Sequence, residues 1–364
     1  MDWIAAFVSV VVAVASALPA LPHAHGLIRS LGFPRLQILS LAVVGILLAL
    51  VFAEGWLLAV SLVLGAGAAI AQIVRIFPFT PFVPVRVASH DGPPPGQPGA
   101  EPHVRILATN VKQSNRRYDD VVALVLSCDP DIAIFMETDD GWADALEPAL
   151  DHYPHRITYP QGNGYGMMLA ARTKLLEQEV RFLMNPEVPS FDCVFETDDG
   201  DVFRAIALHP EPPDPRQDTI GRDAEIGQVA LMVRDEERPV IVFGDLNDVA
   251  WSRTTRRFLR ISRLADPRRG RGMLNSFDSR YWFLRWPLDH IFVSRHFEVV
   301  AMRRMPHVGS DHFPMFYELA LTEHADTPSE EVEPMEDDDL EEVTELIRTE
   351  KGRTRRPIGY DWEG

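Results

Sequence analysis

Residues 240–247 read VIVFGDLN. The four apolar residues at 240–243 have the β-branched and aromatic composition of a short buried strand. Glycine and polar residues follow directly, and Gly244 ends the strand pattern. Enzymes built on sheets carry their functional groups in the loops at strand ends. The stretch therefore predicts a buried strand with candidate site residues, Asp245 and Asn247, just beyond its end.

The same pattern recurs across residues 103–320. Six other short apolar runs occur there, at residues 104–109, 132–136, 167–171, 203–208, 290–294 and 313–319. Helical patterns stand between some of them, at residues 118–127 and 223–234. Strand patterns dominate and helices intervene irregularly, which predicts a layered α/β domain with sheets packed in the middle.

Acid, amide and imidazole side chains cluster at the ends of these runs. Any one of them is explained as a turn former, because Asn and Asp commonly end strands. Six such positions in one domain are hard to explain by turns alone. They are Asn110, Glu137, His209, Asp245 with Asn247, Asp289, and Asp311 with His312.

These residue types predict metal-assisted hydrolysis of a phosphate ester. Oxygen ligands such as Asn110, Glu137 and Asp311 suit Mg²⁺ or Mn²⁺, whereas zinc prefers more His and Cys than this set offers. Cys128 and Cys193 permit at most one disulfide and lack a metal-binding spacing.

The remaining residues have the chemistry that phosphoryl transfer requires. Asp245 can accept the proton of an attacking water, and Asn247 and His209 can donate hydrogen bonds to the phosphate. Asp289 is available to fix the tautomer of His312 and to raise its basicity.

In this order, the motifs resemble the endonuclease/exonuclease/phosphatase superfamily of Mg²⁺-dependent, deoxyribonuclease-like phosphodiesterases. They are Thr109-Asn110-Val111, Pro130-Asp131-Ile132 leading to Met136-Glu137, Tyr165-Gly166, His209-Pro210, Gly244-Asp245-Leu246-Asn247, Leu288-Asp289-His290-Ile291 and Ser310-Asp311-His312. The resemblance implies a four-layer α-β-β-α sandwich in which Glu137 and Asn110 hold the metal. It also implies that Asp245 and Asn247 handle the nucleophile and phosphate, that His209 contacts phosphate, and that Asp289 pairs with His312.

A closer similarity is to bacterial membrane-anchored members of that superfamily. It rests on His209-Pro210-Glu211-Pro212-Pro213 and on the extended element at residues 244–252. Two positions depart from the pattern. Met136 stands where Gln often precedes the metal-binding Glu, and Lys112 lies where some members supply an extra acid. Because of these two departures, the resemblance leaves open whether one or two metal ions bind.

Three uncharged runs, at residues 4–21, 36–53 and 55–74, predict three transmembrane helices within residues 1–77. A secretory signal peptide for the first run and a buried hairpin for the other two are the alternatives. Arginines at 29, 35, 75 and 86 place the first loop and everything after residue 75 in the cytoplasm. The sequence thus predicts a multi-pass cell-membrane protein.

The averages of the 364-residue chain, 46% hydrophobic and 24% charged, exclude collagen-like, disulfide-scaffold and wholly disordered proteins.

Eight prolines predict an extended spacer at residues 78–102 that holds the domain off the membrane. Residues 321–364 contain 15 acids and five Lys or Arg, so they predict a disordered acidic tail. Eight arginines occur at residues 253–271. They are interpreted either as a solvated helix face and loop or as a site that binds substrate phosphates or anionic lipid head groups.

The function most consistent with these features is a membrane-anchored, metal-dependent hydrolase of phosphate esters. Its partners would be the lipid bilayer and a nucleic acid, inositol phosphate or lipid head group, and no protein partner is predicted. A membrane-anchored phosphate-ligand-binding protein without turnover is the alternative. A purely structural membrane protein ranks third, because it has no need of this polar set.

Overall fold

The computed structural model describes residues 2–93, 97, 99–322 and 333–362. The helices are α1 (Asp2–Ala17), α2 (Gly26–Ser30), α3 (Arg35–Phe52), α4 (Gly55–Ile76), α5 (Tyr118–Cys128), α6 (Asp140–Leu150), α7 (Ile220–Val233), α8 (Arg253–Ser262) and α9 (Asp339–Lys351). The strands are β1 (His103–Asn110), β2 (Ile132–Met136), β3 (His155–Tyr159), β4 (Met167–Ala171), β5 (Lys174–Arg181), β6 (Ser190–Glu196), β7 (Val202–Leu208), β8 (Val240–Asp245), β9 (Asp289–Val293), β10 (Phe297–Arg304) and β11 (Met315–Leu321).

The strands form two sheets packed face to face. One has the order β10-β11-β1-β2-β4-β3 and the other the order β5-β6-β7-β8-β9. Apolar side chains from both sheets form the central core, and Ile106, Phe243 and Ile291 are fully buried there. Helices α5 and α6 cover the outer face of the first sheet, while α7, α8 and α9 cover the second. The predicted four-layer α-β-β-α sandwich is therefore confirmed.

Strand direction brings the candidate residues to one edge of the sandwich. β1 and β2 are parallel in the first sheet, and β7 and β8 are parallel in the second. The carboxyl ends of these four strands face the same edge. β11 runs antiparallel to β1, and β9 runs antiparallel to β8, so both of these strands begin there. The turns that follow or precede these six strands consequently meet.

Three N-terminal helices are long and apolar enough to cross a membrane, over Asp2–Ala20, Arg35–Phe52 and Gly55–Phe79. They pack against one another through small residues, and a Cβ added to Gly45 would lie 3.1 Å from a methyl of Val8. Trp3 and Trp56 stack edge to face at the end remote from the sandwich. Aromatic pairs of this kind are typical of a membrane interface.

The other end of these helices lies directly on the sandwich domain. Trp251 donates its indole N–H to the carbonyl of Gly32 at 2.8 Å. Phe33, just before α3, and Phe79, just after α4, pack in one apolar cluster with Trp251 and Leu288. The segment at residues 78–102, which was predicted to be a spacer, therefore does not separate the sandwich domain from the N-terminal helices.

The described part of that segment instead runs along the sandwich. Val87 is buried in the central core, and the backbone N–H of His90 donates to the carbonyl of Val299 at 2.9 Å. Its prolines exclude regular structure, but its apolar side chains still bury against the domain. Pro94, Pro95 and Pro98 lie outside the described residues.

The C-terminal segment corrects a second expectation. Residues 339–351 form α9, which packs on α7 through the fully buried Val343. Arg260 donates two hydrogen bonds to Asp339, at 2.6 and 2.7 Å. Arg253 and Arg257 both form ion pairs with Glu342. The prediction of a disordered tail was wrong for residues 333–362, because the acids are neutralised by the arginine-rich segment. Residues 323–332 of that tail lie outside the described part.

Candidate active site

An imidazole lies between two buried carboxylates at the shared edge of the sheets. The Nδ1 atom of His312 is 2.8 Å from Oδ2 of Asp289, and its Nε2 atom is 3.4 Å from Oδ2 of Asp245. Asp245 and Asp289 are register partners on the adjacent strands β8 and β9. The ring of Phe277 packs against the imidazole at a centroid distance of 4.9 Å. These contacts fix both the position and the orientation of His312.

Asn110 connects this group to the other sheet. Its amide nitrogen donates to Oε1 of Glu137 at 2.7 Å and to Oδ2 of Asp245 at 3.1 Å. Its amide oxygen accepts from the backbone N–H of Lys112 at 3.0 Å. Met136 also links the sheets, because its sulfur accepts from the backbone N–H of Asp245 at 3.2 Å.

Unusual backbone conformations place several of these side chains. Glu137 and Asn247 have left-handed φ angles of 61° and 52°. Such conformations cost free energy in residues other than glycine and concentrate at functional sites. Gly244 has φ near 131°, and an added Cβ would lie 2.1 Å from the carbonyl oxygen of Leu208. Only glycine fits there, so β8 can approach β7 closely just before Asp245.

The turn that carries Asn247 is held from both sides. Its side-chain amide donates to the carbonyl of Pro210 at 2.9 Å, and its backbone N–H donates to Asp245 at 2.9 Å. The buried Arg222 donates to the carbonyl of Asn247 at 2.8 Å and forms ion pairs with Asp223 and Asp248. Arg222 is thus a positioning residue that the sequence patterns did not single out.

His209 lies opposite His312 across the carboxylates. Its Nε2 atom is 3.9 Å from Oε1 of Glu137 and 3.9 Å from Oδ2 of Asp245. Burial lowers the pKa of His209 to about 3, so the ring is neutral at neutral pH. A neutral imidazole keeps one N–H donor, which suits a contact to an anionic ligand.

Burial and repulsion between neighbouring carboxylates raise the pKa of two acids of the site, Glu137 and Asp245. The pKa of Glu137 is raised to about 7, mainly by burial, with a further contribution from Asp311 and Asp245 that Asn110 and His312 oppose. Burial also raises the pKa of Asp245. Burial alone lowers the pKa of His312, but Asp245 and Asp289 outweigh it and raise that pKa to about 10. The site therefore concentrates negative charge where a cation would be favoured.

Lys112 supplies one such positive charge. Its ammonium group is 2.8 Å from Oδ2 of Asp311, and the guanidinium of Arg280 is 3.6 Å from the same oxygen. Desolvation raises the pKa of Asp311, but His312 and Lys112 outweigh it and lower that pKa. Lys112 therefore contacts the predicted metal ligand Asp311. In the sequence it stood out only as a departure from the family pattern.

Acidic and imidazole groups that could bind a metal are present. Asp245, Asp289 and His312 offer ligand atoms that lie within 4.8 Å of one another. The predicted ligands Asn110, Glu137 and Asp311 lie around the same carboxylates, with Asn110 bonded to Glu137 and to Asp245. All eight residues singled out from the sequence are thus brought to one edge.

The site opens into a cleft of about 570 Å³. Glu137, His209, Asn247, Asp311 and His312 form its floor. The walls come from the loop before α3, from residues 277–288, from the Pro-rich turn after His209 and from the C-terminal segment. The loop before α3 and the C-terminal segment both lie outside residues 103–320, where the sequence predicted the domain.

Comparison with known proteins identifies the family. The model of the Endonuclease/Exonuclease/phosphatase family matches residues 74–312. No curated protein matches the chain significantly. The catalytic domain of human Nocturnin with a bound sulfate anion is a similar solved structure, with 17% identity and a TM-score of 0.50 over 61% of this chain and 96% of that one.

A second similar structure is D. rerio TDP2 complexed with a single strand DNA product, with 15% identity and a TM-score of 0.50 over 60% of this chain and 98% of that one. A mannosyl-6-phosphatase from Bacteroides thetaiotaomicron is 20% identical, with a TM-score of 0.49 over 60% of this chain and 100% of that one. At such identities, the Nocturnin and TDP2 structures show the shared fold alone. The family match, which covers most of the sandwich and its site motifs, shows that this chain belongs to the endonuclease/exonuclease/phosphatase family.

Proposed function

We propose that the protein is a membrane-anchored hydrolase of phosphate esters that requires Mg²⁺ or Mn²⁺. The observation that carries this proposal is the buried group formed by Asp245, Asp289 and His312, of which His312 lines an open cleft. Membership of a family of nucleases and phosphatases supports the general reaction. Diester and monoester substrates are both compatible with it.

Each side chain has a role that its contacts support. Asp245 accepts a proton from the attacking water, because its buried carboxylate borders the cleft floor beside His312 and Asn110. Asn247 and His209 donate to the phosphate oxygens from the opposite side. His312 stabilises the charge that develops on the phosphate, and Asp289 orients its ring through Nδ1.

The donor set fits a divalent cation. Glu137, Asn110 and Asp311 would hold it, since they provide carboxylate and amide oxygens beside an excess of buried negative charge. When bound, the ion would neutralise charge on the phosphate and lower the pKa of a water molecule. The amide of Asn110 must turn its oxygen toward the ion, because that oxygen accepts from Lys112 in this structure.

The three apolar helices support a multi-pass anchor in the cell membrane. Arg29 and Arg35 lie at the helix end that contacts the sandwich, and Arg29 is 3.7 Å from Asp223 of the domain. A positive charge bias at that end supports a cytoplasmic location for the sandwich.

An activity screen of the full chain in detergent tests this function. The substrates are bis(p-nitrophenyl) phosphate, p-nitrophenyl phosphate, single-stranded DNA and an inositol phosphate, each with Mg²⁺ and with Mn²⁺. We expect hydrolysis of at least one ester by the unmodified chain and none above background by Asp245→Asn. Binding of an ester without turnover at either metal would favour a phosphate-binding protein instead.

A further inference from the structure

The cleft above the site has largely apolar walls. Phe277, Leu284, Trp286 and Leu288 form one side, and Pro212 and Pro213 belong to another. A phosphate needs only the polar floor, so these walls fit a different part of the substrate. Apolar walls stabilise a bound ligand by removing hydrocarbon surface from water.

One wall belongs to the membrane anchor itself. Ser30, Phe33 and Pro34, which precede the membrane-crossing helix α3, line the cleft beside His209 and Trp286. The rings of Phe33 and Trp286 pack edge to face with centroids 6.0 Å apart. The cleft therefore lies where the sandwich meets one end of α3, a helix long and apolar enough to cross a membrane.

The loop at residues 281–283 lies against the same end of α3. Gln37, in the first turn of α3, donates its side-chain amide to the carbonyl of Phe283 at 2.5 Å. Tyr281, Trp282 and Phe283 are all exposed, and Trp282 is 81% exposed. Exposed Trp and Tyr beside the end of a membrane-spanning helix are typical of residues that lie among lipid head groups.

The cleft has little of what a nucleic acid requires. Of the residues that line it within the described part of the chain, Lys112 is the sole Lys or Arg, and it is paired with Asp311. Binding along a phosphate backbone requires several cations in a row. A single phosphate attached to a hydrocarbon body matches this cleft better.

We propose that the substrate is a phosphate ester of a membrane lipid, which enters the cleft from the bilayer while the loop at residues 281–283 rests in the lipid interface. The phosphate lies on the floor formed by His209, Asn247 and His312. The adjoining hydrocarbon contacts Leu284, Trp286 and Phe33. This inference rests on the proposed hydrolysis and specifies its substrate class.

Chain-length dependence of hydrolysis tests the substrate class. The full chain, reconstituted in phosphatidylcholine nanodiscs with Mn²⁺, is assayed with ethyl and octyl p-nitrophenyl phosphate diesters, with ethyl and octyl phosphate monoesters, and with single-stranded DNA. We expect kcat/KM to be at least tenfold higher for the octyl ester than for the ethyl ester in the series that is hydrolysed. Leu284→Gln should lower that ratio at least fivefold.

Leu126→Gln is the matched control, because Leu126 is exposed in the last turn of α5, at the edge of the sandwich opposite the site. It should keep the ratio of the unmodified chain, since both variants share the same nanodisc partitioning. Equal ethyl and octyl values, equal ratios in the two variants, or a preference for DNA would overturn the inference while the hydrolase proposal stands. Failure of every substrate would refute the hydrolase proposal and this inference with it.

A depth measurement tests the docking of the loop without relying on activity. Trp282→Cys and the control Leu126→Cys are made in a Cys128→Ser background, which keeps the buried Cys193, and both are labelled with a nitrobenzoxadiazole dye. Lipid that carries a nitroxide near its head group should quench the dye at position 282 at least twofold more than at position 126. Equal quenching at the two positions would show that the loop does not rest in the bilayer.

Discussion

The imidazole of His312 is held by Asp289 through a 2.8 Å contact between Nδ1 and a carboxylate oxygen. Asp289 opens β9 and is the register partner of Asp245 on β8. Two adjacent strands thus fix the distance between the carboxylates, and His312 lies across both. We therefore expect Asp289 and His312 to act as one functional unit, so that removing either one has a similar effect.

Removal of either member of the pair should have a similar effect. We expect His312→Ala and Asp289→Ala each to lower kcat at least about a hundredfold, because the imidazole needs its carboxylate for orientation and basicity. The double variant should cost far less in free energy than the sum of the single losses. Steady-state kinetics on the four proteins measure this. Additive losses would mean that the two residues act independently.

Asp245→Asn should abolish catalysis while leaving the fold nearly intact. The substitution keeps the shape of the side chain and removes the proton acceptor, so we expect kcat to fall about 10² to 10⁴ fold. Burial already disfavours the charged form of Asp245. Thermal unfolding, followed by circular dichroism, should therefore change little. A variant with near-normal kcat would exclude Asp245 as the base.

Chelation should stop hydrolysis reversibly. The oxygen-rich set at Asn110, Glu137 and Asp311 is suited to Mg²⁺ or Mn²⁺ and not to a tightly held zinc. We expect EDTA to abolish activity, and excess Mg²⁺ or Mn²⁺ to restore it within minutes. Undiminished turnover in excess EDTA would contradict the metal-dependent reaction.

The sequence predicted seven of the strands in the described residues, and the site motifs, because those stretches carry strong local signals. It missed β3, β5, β6 and β10, although β6 is buried in the central core. Residues 240–243 form a buried apolar run, and such runs become central strands. β5 (Lys174–Arg181) was missed since most of its side chains are exposed and four of its eight residues are charged. Its pairing with β6 determines the structure there, and no local pattern encodes that pairing.

The surroundings of the site could not be predicted because they depend on contacts between distant segments. Glu211 illustrates this, since it accepts two hydrogen bonds from Arg355 and one from the backbone of Ile358. Tyr165 donates its hydroxyl to the carbonyl of Ile358 as well. Composition alone indicated disorder for that C-terminal segment, because charge counts do not reveal which charges will pair.

Breaking the contact between the C-terminal helix and α8 should destabilise the sandwich. Arg260 and Asp339 are both buried and form two hydrogen bonds. Loss of one partner leaves the other charge buried, which typically costs about 3 to 5 kcal/mol. We expect Asp339→Ala to lower Tm by several degrees in detergent.

Arg348→Ala is the control for this variant, because Arg348 is exposed on the same helix and its ion pair with Glu345 lies at the surface. Surface pairs contribute little to stability. Equal Tm values for the two variants would show that α9 does not contribute to the stability of the domain.

Glu225 should make the protein less stable as the pH rises toward 8. It is buried on α7, where Ser190 donates to its carboxylate at 2.9 Å. Burial raises the pKa of Glu225 to about 8 from 4.5, and nearby Glu211 adds to the shift while Ser190 opposes it. The folded state therefore binds a proton that the unfolded state releases above about pH 4.5. The contribution is fully present below that pH and is lost as the pH rises through about 8.

Glu225→Gln should remove this dependence, since the amide is neutral at every pH and still accepts from Ser190. The difference in unfolding free energy between variant and unmodified chain should grow between pH 5 and pH 8 by on the order of a few kcal/mol, in favour of the variant. Glu179→Gln, at an exposed position on β5, is the control and should show no such trend. Urea unfolding in detergent at several pH values measures these differences. A difference that stays constant with pH would mean that Glu225 is charged in the folded protein.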